Sequence, residues 1–354
     1  MEKQHFCNLC FMLLLAGFVF LGGVQLHPAS FTVNTTADTQ DAAPGDGSAA
    51  DSNGKCSLRA AIMEANALAG ADTIDIPAGT YKLTIAGTRE DACKKGDLDI
   101  LSNVTITGAG ESQTIIDGNR LDRVLHIIGE RQVFISELKI THGRAPDGIS
   151  ETITNGGRGG GIYNDNGIVT IENSLITHNR TGNGFPGYIN NCSSGGSGGG
   201  IYNLQGTLTL ENCGISYNIC GDQAGWIPFG GNGGSGGGIC NAGGELNVHN
   251  CTIAYNTGGL GGFDSNAGQG GGIYNFSGTA VISHSLIYKN SGGEGLGAGY
   301  YVIGGDGGGL CNNHPGNRGG MTKVIEAVRQ LRGEAHPAVQ VPNCNLALAH
   351  GTGG

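Results

Sequence analysis

Charge and aromatic rings are scarce in this chain. Asp, Glu, Lys and Arg make up 14% of its 354 residues, Phe, Trp and Tyr only 6%, and there is a single tryptophan, a composition that suits a β-rich extracellular protein. Lys and Arg nowhere cluster and the formal net charge is −10, which argues against nucleic acid as a partner. No C-x-x-C pair follows Cys10, so thiolate zinc sites and thioredoxin-like chemistry lack their ligands, and no metal or cofactor is expected. After residue 24 there is no second long apolar run, sorting tail or lipid-attachment cysteine. Glycine is abundant, 69 residues, but lacks a triplet period, which excludes collagen and points to tight turns and long loops.

The front end reads as a secretory signal over residues 1–29. The apolar stretch Phe11–Val24 is short for a membrane span and is followed by Gln25-Leu-His-Pro-Ala-Ser30, which places cleavage near Ala29; the rival is an uncleaved anchor. Removal takes Cys7 and Cys10 and leaves nine cysteines of eleven, with Cys56 and Cys93, which flank the next element, the candidate bridge.

What fills the rest is a repeat. GGGIYN stands at Gly159–Asn164 and Gly198–Asn203, returns as GGGICN at Gly236–Asn241 and GGGIYN at Gly270–Asn275, and ends as GGGLCN at Gly307–Asn312, with spacings of 39, 38, 34 and 37 residues. A period of this size means one supersecondary unit per repeat, stacked on its neighbours because none can bury its apolar side alone. Each block is followed by an alternating run: 168–179, 207–218, 245–256 and 279–290. Aligned, these runs put Val169, Leu208, Leu246 and Ala280 in one column, Ile171, Leu210, Val248 and Ile282 in a second, and Ile176, Ile215, Ile253 and Ile287 in a third. Apolar residues two apart share one side of a strand, so the columns predict the interior of a parallel β-solenoid. Asn179, Asn218, Asn256 and Asn290 close the four runs and are expected to form a structural ladder. Ser174, Cys213, Cys251 and Ser285 mark a bend, the two cysteines as stacked thiols or, less favourably, a bridge. Shorter β-rich segments at 97–108, 114–119 and 133–143 read as earlier coils.

Gly-rich excursions at 180–197, 219–235, 257–269 and 291–306 separate the coils, and each holds at least one aromatic: Phe185 and Tyr188, Trp226 and Phe229, Phe263, Tyr300 and Tyr301. If the excursions leave on one side, Tyr188, Trp226, Phe229, Phe263 and Tyr300 are candidates for a sugar- or surface-contacting platform. The alternative is that each ring pins its own loop. The densest acidic group is Asp97, Asp99, Asp117 and Asp122 with Arg123.

Ser57 to Gly70 reads as an amphipathic helix, Ser57 its N-cap and Leu58, Ala61, Ile62, Ala65, Leu68 and Ala69 its apolar face, suited to capping the open end of the stack. The string Cys56-Ser-Leu-Arg-Ala-Ala-Ile-Met-Glu-Ala-Asn66, after Pro44-Gly-Asp-Gly47 and before Ile76-Pro-Ala-Gly-Thr-Tyr81, resembles the CSLREA domain family of secreted bacterial right-handed β-helix proteins. With Gly96–Ile100 and the GGGIYN coils the resemblance spans about residues 31–306. It implies an all-β, right-handed parallel β-helix of the pectin-lyase-like kind, with an N-terminal cap over 30–96 and coils over 97–306. Ser48 stands where that family often has a cysteine, so a family disulfide from Cys56 to that point is missing.

From residue 307 the pattern changes. Met321, Val324, Ile325, Val328 and Leu331 recur at helical spacing, and Leu310–Gly354, with His-Pro-Gly and Glu-Ala-Val-Arg-Gln-Leu-Arg-Gly-Glu-Ala, resembles the C-terminal end of lipid-transfer-type thiolases. The resemblance makes 307–354 a short α/β tail, places His314 as the histidine assisting a nucleophilic thiol, and puts His350 in the closing active-site loop. The half that supplies that thiol has no counterpart here, so a fusion or assembly remnant is expected rather than an acyltransferase.

Together these readings predict a secreted or cell-surface, monomeric, noncatalytic scaffold that contacts polysaccharide or a cell surface. The alternatives are a polysaccharide lyase or glycoside hydrolase using clustered carboxylates, or carboxylate-bound calcium with a basic residue, on the outer face of adjacent coils, and an acyltransferase using the tail.

Overall fold

A computed structural model describes residues 28–149, 155–185, 193–223, 231–262 and 265–293. The chain winds as a parallel β-helix in which six coils from Leu98 onward each give one strand to each of three sheets, and strands at Ser30–Thr32, Ala71–Asp75 and Gly79–Lys82 bring the sheets to eight, six and seven strands. In the third coil, for example, Ile162–Asp165 joins the six-stranded sheet, Ile168–Glu172 the eight-stranded one and Leu175–Thr177 the seven-stranded one. The single alternating run seen in sequence is therefore two strands. They part at Asn173, whose φ of 47° turns the chain, and at Ser174, which is buried and donates to the Glu172 carbonyl at 2.7 Å.

The apolar columns stack in register. Ile176 pairs with Ile215, Ile215 with Ile253 and Ile253 with Ile287, while Val169, Leu208, Leu246 and Ala280 align on the next sheet. All but the members from the last described coil are buried, joined by Ile162, Ile201, Ile239 and Ile273 from the GGGIYN blocks. In those blocks the first glycine has a positive φ, 66° at Gly159 and 73° at Gly198, and a Cβ on the second, Gly160, would lie 2.3 Å from the Gly199 carbonyl oxygen. Both the turn and the close passage between coils therefore require glycine.

Two rows of amides run through the interior. Asn179 donates from Nδ2 to Asn218 Oδ1 at 3.0 Å, Asn218 to Asn256 at 2.9 Å and Asn256 to Asn290 at 2.9 Å. The second row, which the sequence reading passed over, consists of the block asparagines: Asn164 donates to Asn203, Asn203 to Asn241 and Asn241 to Asn275, each at 2.7 Å.

The Gly-rich excursions correct an expectation. Their described stems are not free loops but a backbone-bonded stack in which outgoing and incoming segments alternate. Gly182 N–H donates to the Gly157 carbonyl at 3.1 Å, Gly196 to Gly182 at 2.8 Å, Gly221 to Gly196 at 3.3 Å, Gly234 to Gly221 at 3.0 Å and Gly259 to Gly234 at 2.8 Å. Chains without Cβ can approach closely enough for main chain to pair with main chain on several sides.

At the N-terminal end α1 (Leu58–Ala67) lies against the Leu98–Ile100 and Ala71–Asp75 strands. Ser57 accepts from Ala60 N–H at 3.0 Å as the N-cap. The helix stops at Ala67 rather than Gly70, and it is buried from Leu58 to Ala65 on every side, where sequence periodicity predicted one apolar face. Its two charges are neutralised internally. Arg59, fully buried, pairs with Asp38 at 2.6 Å and donates to the carbonyls of Cys93, Gly96 and Asp97, and Glu64 accepts from the N–H groups of Gly45 and Gly47. Asn66 ties the helix to the first coil, donating to the Asp99 carbonyl and accepting from Leu101 N–H.

Cys56 and Cys93 are free thiols rather than a bridge, and burial pushes them up to about 11 and about 12, so both stay protonated at neutral pH. Cys213 and Cys251 are free as well, stacked with the Cys213 N–H 3.3 Å from the Cys251 sulfur. Among the described residues no helix is long and apolar enough to cross a membrane.

Candidate functional site

One residue ahead of each ladder asparagine the chain turns outward. His178, Tyr217, Tyr255 and Lys289 occupy this position in successive coils, and His142, ahead of Gly143, the matching place one coil earlier, with φ between 50° and 58°. Bulky side chains rarely adopt this left-handed conformation, which costs on the order of 1–2 kcal/mol per residue. The neighbouring left-handed column is Glu137, Asn173, Asn212, Asn250 and His284, three of the five being the residue type that tolerates it best. Rings held where asparagine would be less strained point to a role beyond turning the chain.

Their packing makes a strip. The rings of His178 and Tyr217 stack with centroids 5.1 Å apart, those of Tyr217 and Tyr255 at 4.9 Å with planes 2° apart, and Lys289 Nζ sits 5.3 Å from the Tyr255 ring centre. Coils repeat about every 4.8 Å, whereas carbon surfaces meet at about 3.5–4 Å. The rings are therefore offset and part of each face remains uncovered; Tyr217 keeps 47% of its surface exposed. At the upstream end Asp117 Oδ2 lies 3.2 Å from His142 Nδ1 while its Oδ1 accepts from Asn119 N–H at 2.8 Å, so this member of the acidic group serves the turn and the strip. Burial, then His142 and Lys139, hold the His178 pKa below its ordinary value, which leaves that ring neutral at pH 7.

Beyond the inward asparagine the next outward column carries charge. Arg144, Arg180, Ile219, Thr257 and Ser291 align in parallel. Arg144 pairs with Asp147 at 2.8 Å, and Arg180 with Asp222 at 2.9 Å. Arg120, one coil earlier, is exposed and has no ion pair among the described residues. Arg120, Arg144, His178, Arg180, Tyr217 and Ile219 line a cleft of about 260 Å³ between the two columns. It sits where the seven-stranded sheet ends, at the corner from which every excursion departs.

The remaining acids are elsewhere and inaccessible. Asp97, Asp99 and Asp122 are 2%, 0% and 1% exposed. Arg123 Nε lies 2.9 Å from Asp97 Oδ2 and 3.7 Å from Asp122 Oδ1, with its guanidinium over the Tyr163 ring at 5.5 Å. Burial raises Asp122 to about 6 and Asp97 well above the usual carboxylate range, against the lowering influence of Arg123. A carboxyl whose folded pKa lies above its unfolded one favours the fold most below the unfolded pKa, near 3.8, and that stability is lost as pH rises through about 6. Asp122→Asn is accordingly expected to gain on the order of 2 kcal/mol over wild type at pH 7 and to lose that advantage near pH 4, as read by denaturant unfolding of both proteins at the two pH values.

The candidates Tyr188, Trp226, Phe229, Phe263 and Tyr300, and His314 and His350 of the tail, all lie outside the described residues. The strip was missed in the sequence because its members differ in type; the signal was the residue before each turn asparagine.

Comparison with known proteins adds little to this geometry. Residues 291–354 match the family model of the thiolase C-terminal domain-like group, beginning upstream of the expected boundary at 307. The chain is similar in structure to the crystal structure of pectate lyase Pel9A, with 13% sequence identity and a TM-score of 0.28, covering 78% of this chain and 83% of that one. No curated protein matches the sequence.

Proposed function

We propose that the chain is an exported, noncatalytic β-helix whose ring strip holds an extended polysaccharide along the solenoid axis. One observation carries this reading: the exposed rings of His178 and Tyr217 and the half-buried ring of Tyr255 stack with an offset over three successive coils in a strained backbone conformation. Flat apolar faces are what pyranose rings pack on, and a strip repeating at the coil spacing suits a chain of repeating units. Arg120 at one end and Lys289 at the other favour a glycan bearing carboxylates, and the paired Arg144 and Arg180 supply hydrogen-bond donors along the edge.

The lyase or hydrolase alternative wants carboxylates converging on an open cleft, alone or holding calcium beside a basic residue. Asp97, Asp99 and Asp122 are closed off from solvent instead, and the cleft at the strip is lined by cations and rings. An acyltransferase would need an activated thiol beside its base; burial raises Cys56 and Cys93, and Cys251, which its hydrogen bond with the Cys213 thiol lowers, is only 2% exposed.

The test is retention of the purified chain on immobilised polyuronate and on a neutral glucan, scored together with release of unsaturated or reducing ends. Retention without release is expected, weaker at high salt. Tyr217→Ala is expected to weaken binding about tenfold, or ~1.4 kcal/mol, by removing the central ring. Release of ends, or equal retention by Tyr217→Ala, overturns the proposal.

A further inference from the structure

On the outer face of the six-stranded sheet a second column runs in register: Asp99, His126, Tyr163, Tyr202, Cys240 and Tyr274. At its upstream end two carboxylates and an imidazole converge. His126 Nδ1 lies 3.4 Å from Asp99 Oδ1 and 3.5 Å from Asp91 Oδ1, and one ligand atom from each of the three residues falls within 4.8 Å of the others.

These separations are too long for a charge-assisted hydrogen bond, which closes to about 2.7–2.9 Å. The two separations from His126 match edges of a coordination tetrahedron: with bonds of about 2.0–2.2 Å, ligand atoms sit roughly 3.3–3.6 Å apart. Asp99 supplies an independent sign. It is fully buried, and its Oδ1, aimed at His126, has no hydrogen-bond partner. Leaving a buried carboxylate oxygen unpaired is costly unless something else neutralises it.

Both buried ligands are held in place. Asp99 Oδ2 accepts from Cys93 N–H at 2.7 Å, and the His126 ring stacks on Tyr163 with centroids 4.8 Å apart and planes 8° apart. Such outer contacts are what orient metal ligands. Asp91, with 71% of its side chain exposed, leaves the site open to solvent on one side, where a fourth ligand such as water fits.

We infer that Asp91, Asp99 and His126 form a binding site for a divalent transition-series cation, zinc foremost. Imidazole with two carboxylates is a borderline donor set that suits zinc. Calcium wants six to eight oxygens, and three side chains do not approach that number. The site joins the Cys93–Asp99 segment, which wraps Arg59 of the cap, to the second coil through His126, so a bound ion would fasten the cap to the stack. It lies on a different sheet from the ring strip and does not depend on the glycan reading.

The test is zinc titration of the full chain against a chromophoric chelator, paired with melting curves with and without zinc. One tightly bound zinc per chain and a rise in Tm of several degrees are expected. Asp91→Asn, at an exposed position, and His126→Phe, which keeps the stacking on Tyr163, should each weaken affinity at least tenfold and abolish the Tm shift. The inference is overturned by the absence of stoichiometric zinc, by tighter binding of calcium than of zinc at equal concentration, or by zinc affinity unchanged in both variants, which would place the ion on thiols or on the histidines of the strip.

Discussion

Replacing Asn218 by alanine is expected to cost on the order of 4 kcal/mol, enough to unfold a marginal solenoid locally. Asn218 sits mid-ladder and fully buried. Its Oδ1 accepts from both the backbone N–H and the Nδ2 of Asn179, each at 3.0 Å, and its Nδ2 donates to the Ile176 carbonyl at 3.0 Å and to Asn256 Oδ1 at 2.9 Å. Truncation strands two donors on Asn179 and the Ile176 carbonyl, and opens a void that water reaches only by parting the coils. Asn212→Ala is the internal control. Asn212 is exposed in the outward column, donating to Asn173 at 3.2 Å and accepting from Asn250 at 2.7 Å; its loss should cost about 1 kcal/mol, mainly from alanine in a left-handed turn. Urea unfolding of both variants decides the matter, and equal midpoints would mean the buried amides contribute no more than the exposed ones.

Gly221→Ala is the second large effect, expected at about 3 kcal/mol or more. A Cβ there would lie 1.8 Å from the Gly182 carbonyl oxygen and 2.5 Å from its carbon, and both atoms are main chain, so no rotamer change relieves the clash. The two coils would have to separate. Because Gly221 also donates to Gly196 and accepts from Gly234, the separation breaks the zigzag on both sides. Hydrogen exchange should show faster opening of the Gly196 and Gly234 amides, while those in the Val169 and Leu208 strands change less. An unperturbed melting curve would mean that the stems behave as the free loops their composition suggests.

The stack itself was legible because its signal is periodic. Val169, Leu208 and Leu246 recur two residues before Ile171, Leu210 and Val248, and a period-two pattern repeated at 34–39 residues admits few other folds. The helix was legible as a helix, from Ser57 onward, but not as a fully buried one. Arg59 and Glu64 look solvent-facing in sequence, and what neutralises them, Asp38 and the N–H groups of Gly45 and Gly47, lies well upstream in the chain. The glycine stems were hidden for the same reason: composition says a segment can bend, and only the neighbouring coil says that it does not. The candidate site was least legible. His178 and Tyr217 share a role but not a residue type, and Asp99, His126 and Asp91 are brought together by a coil, a strand and a cap loop whose mutual placement no local pattern encodes.

From amide to amide, each ladder asparagine donates to its counterpart in the following coil, while its Nδ2 also reaches a main-chain carbonyl of the preceding coil, and the amide-to-amide bonds of the block asparagines run in the same sense. The molecule thus has a grain. Duplicating a whole repeat offers every new donor an acceptor and every new acceptor a donor, so the rod can lengthen by one unit without re-engineering its ends, and the same step adds another outward side chain to the row in front of it. Half a repeat would leave a polar group stranded in the dry interior. Growth in whole steps is what this bonding permits, and reach along a fibrous partner is the property such steps would tune.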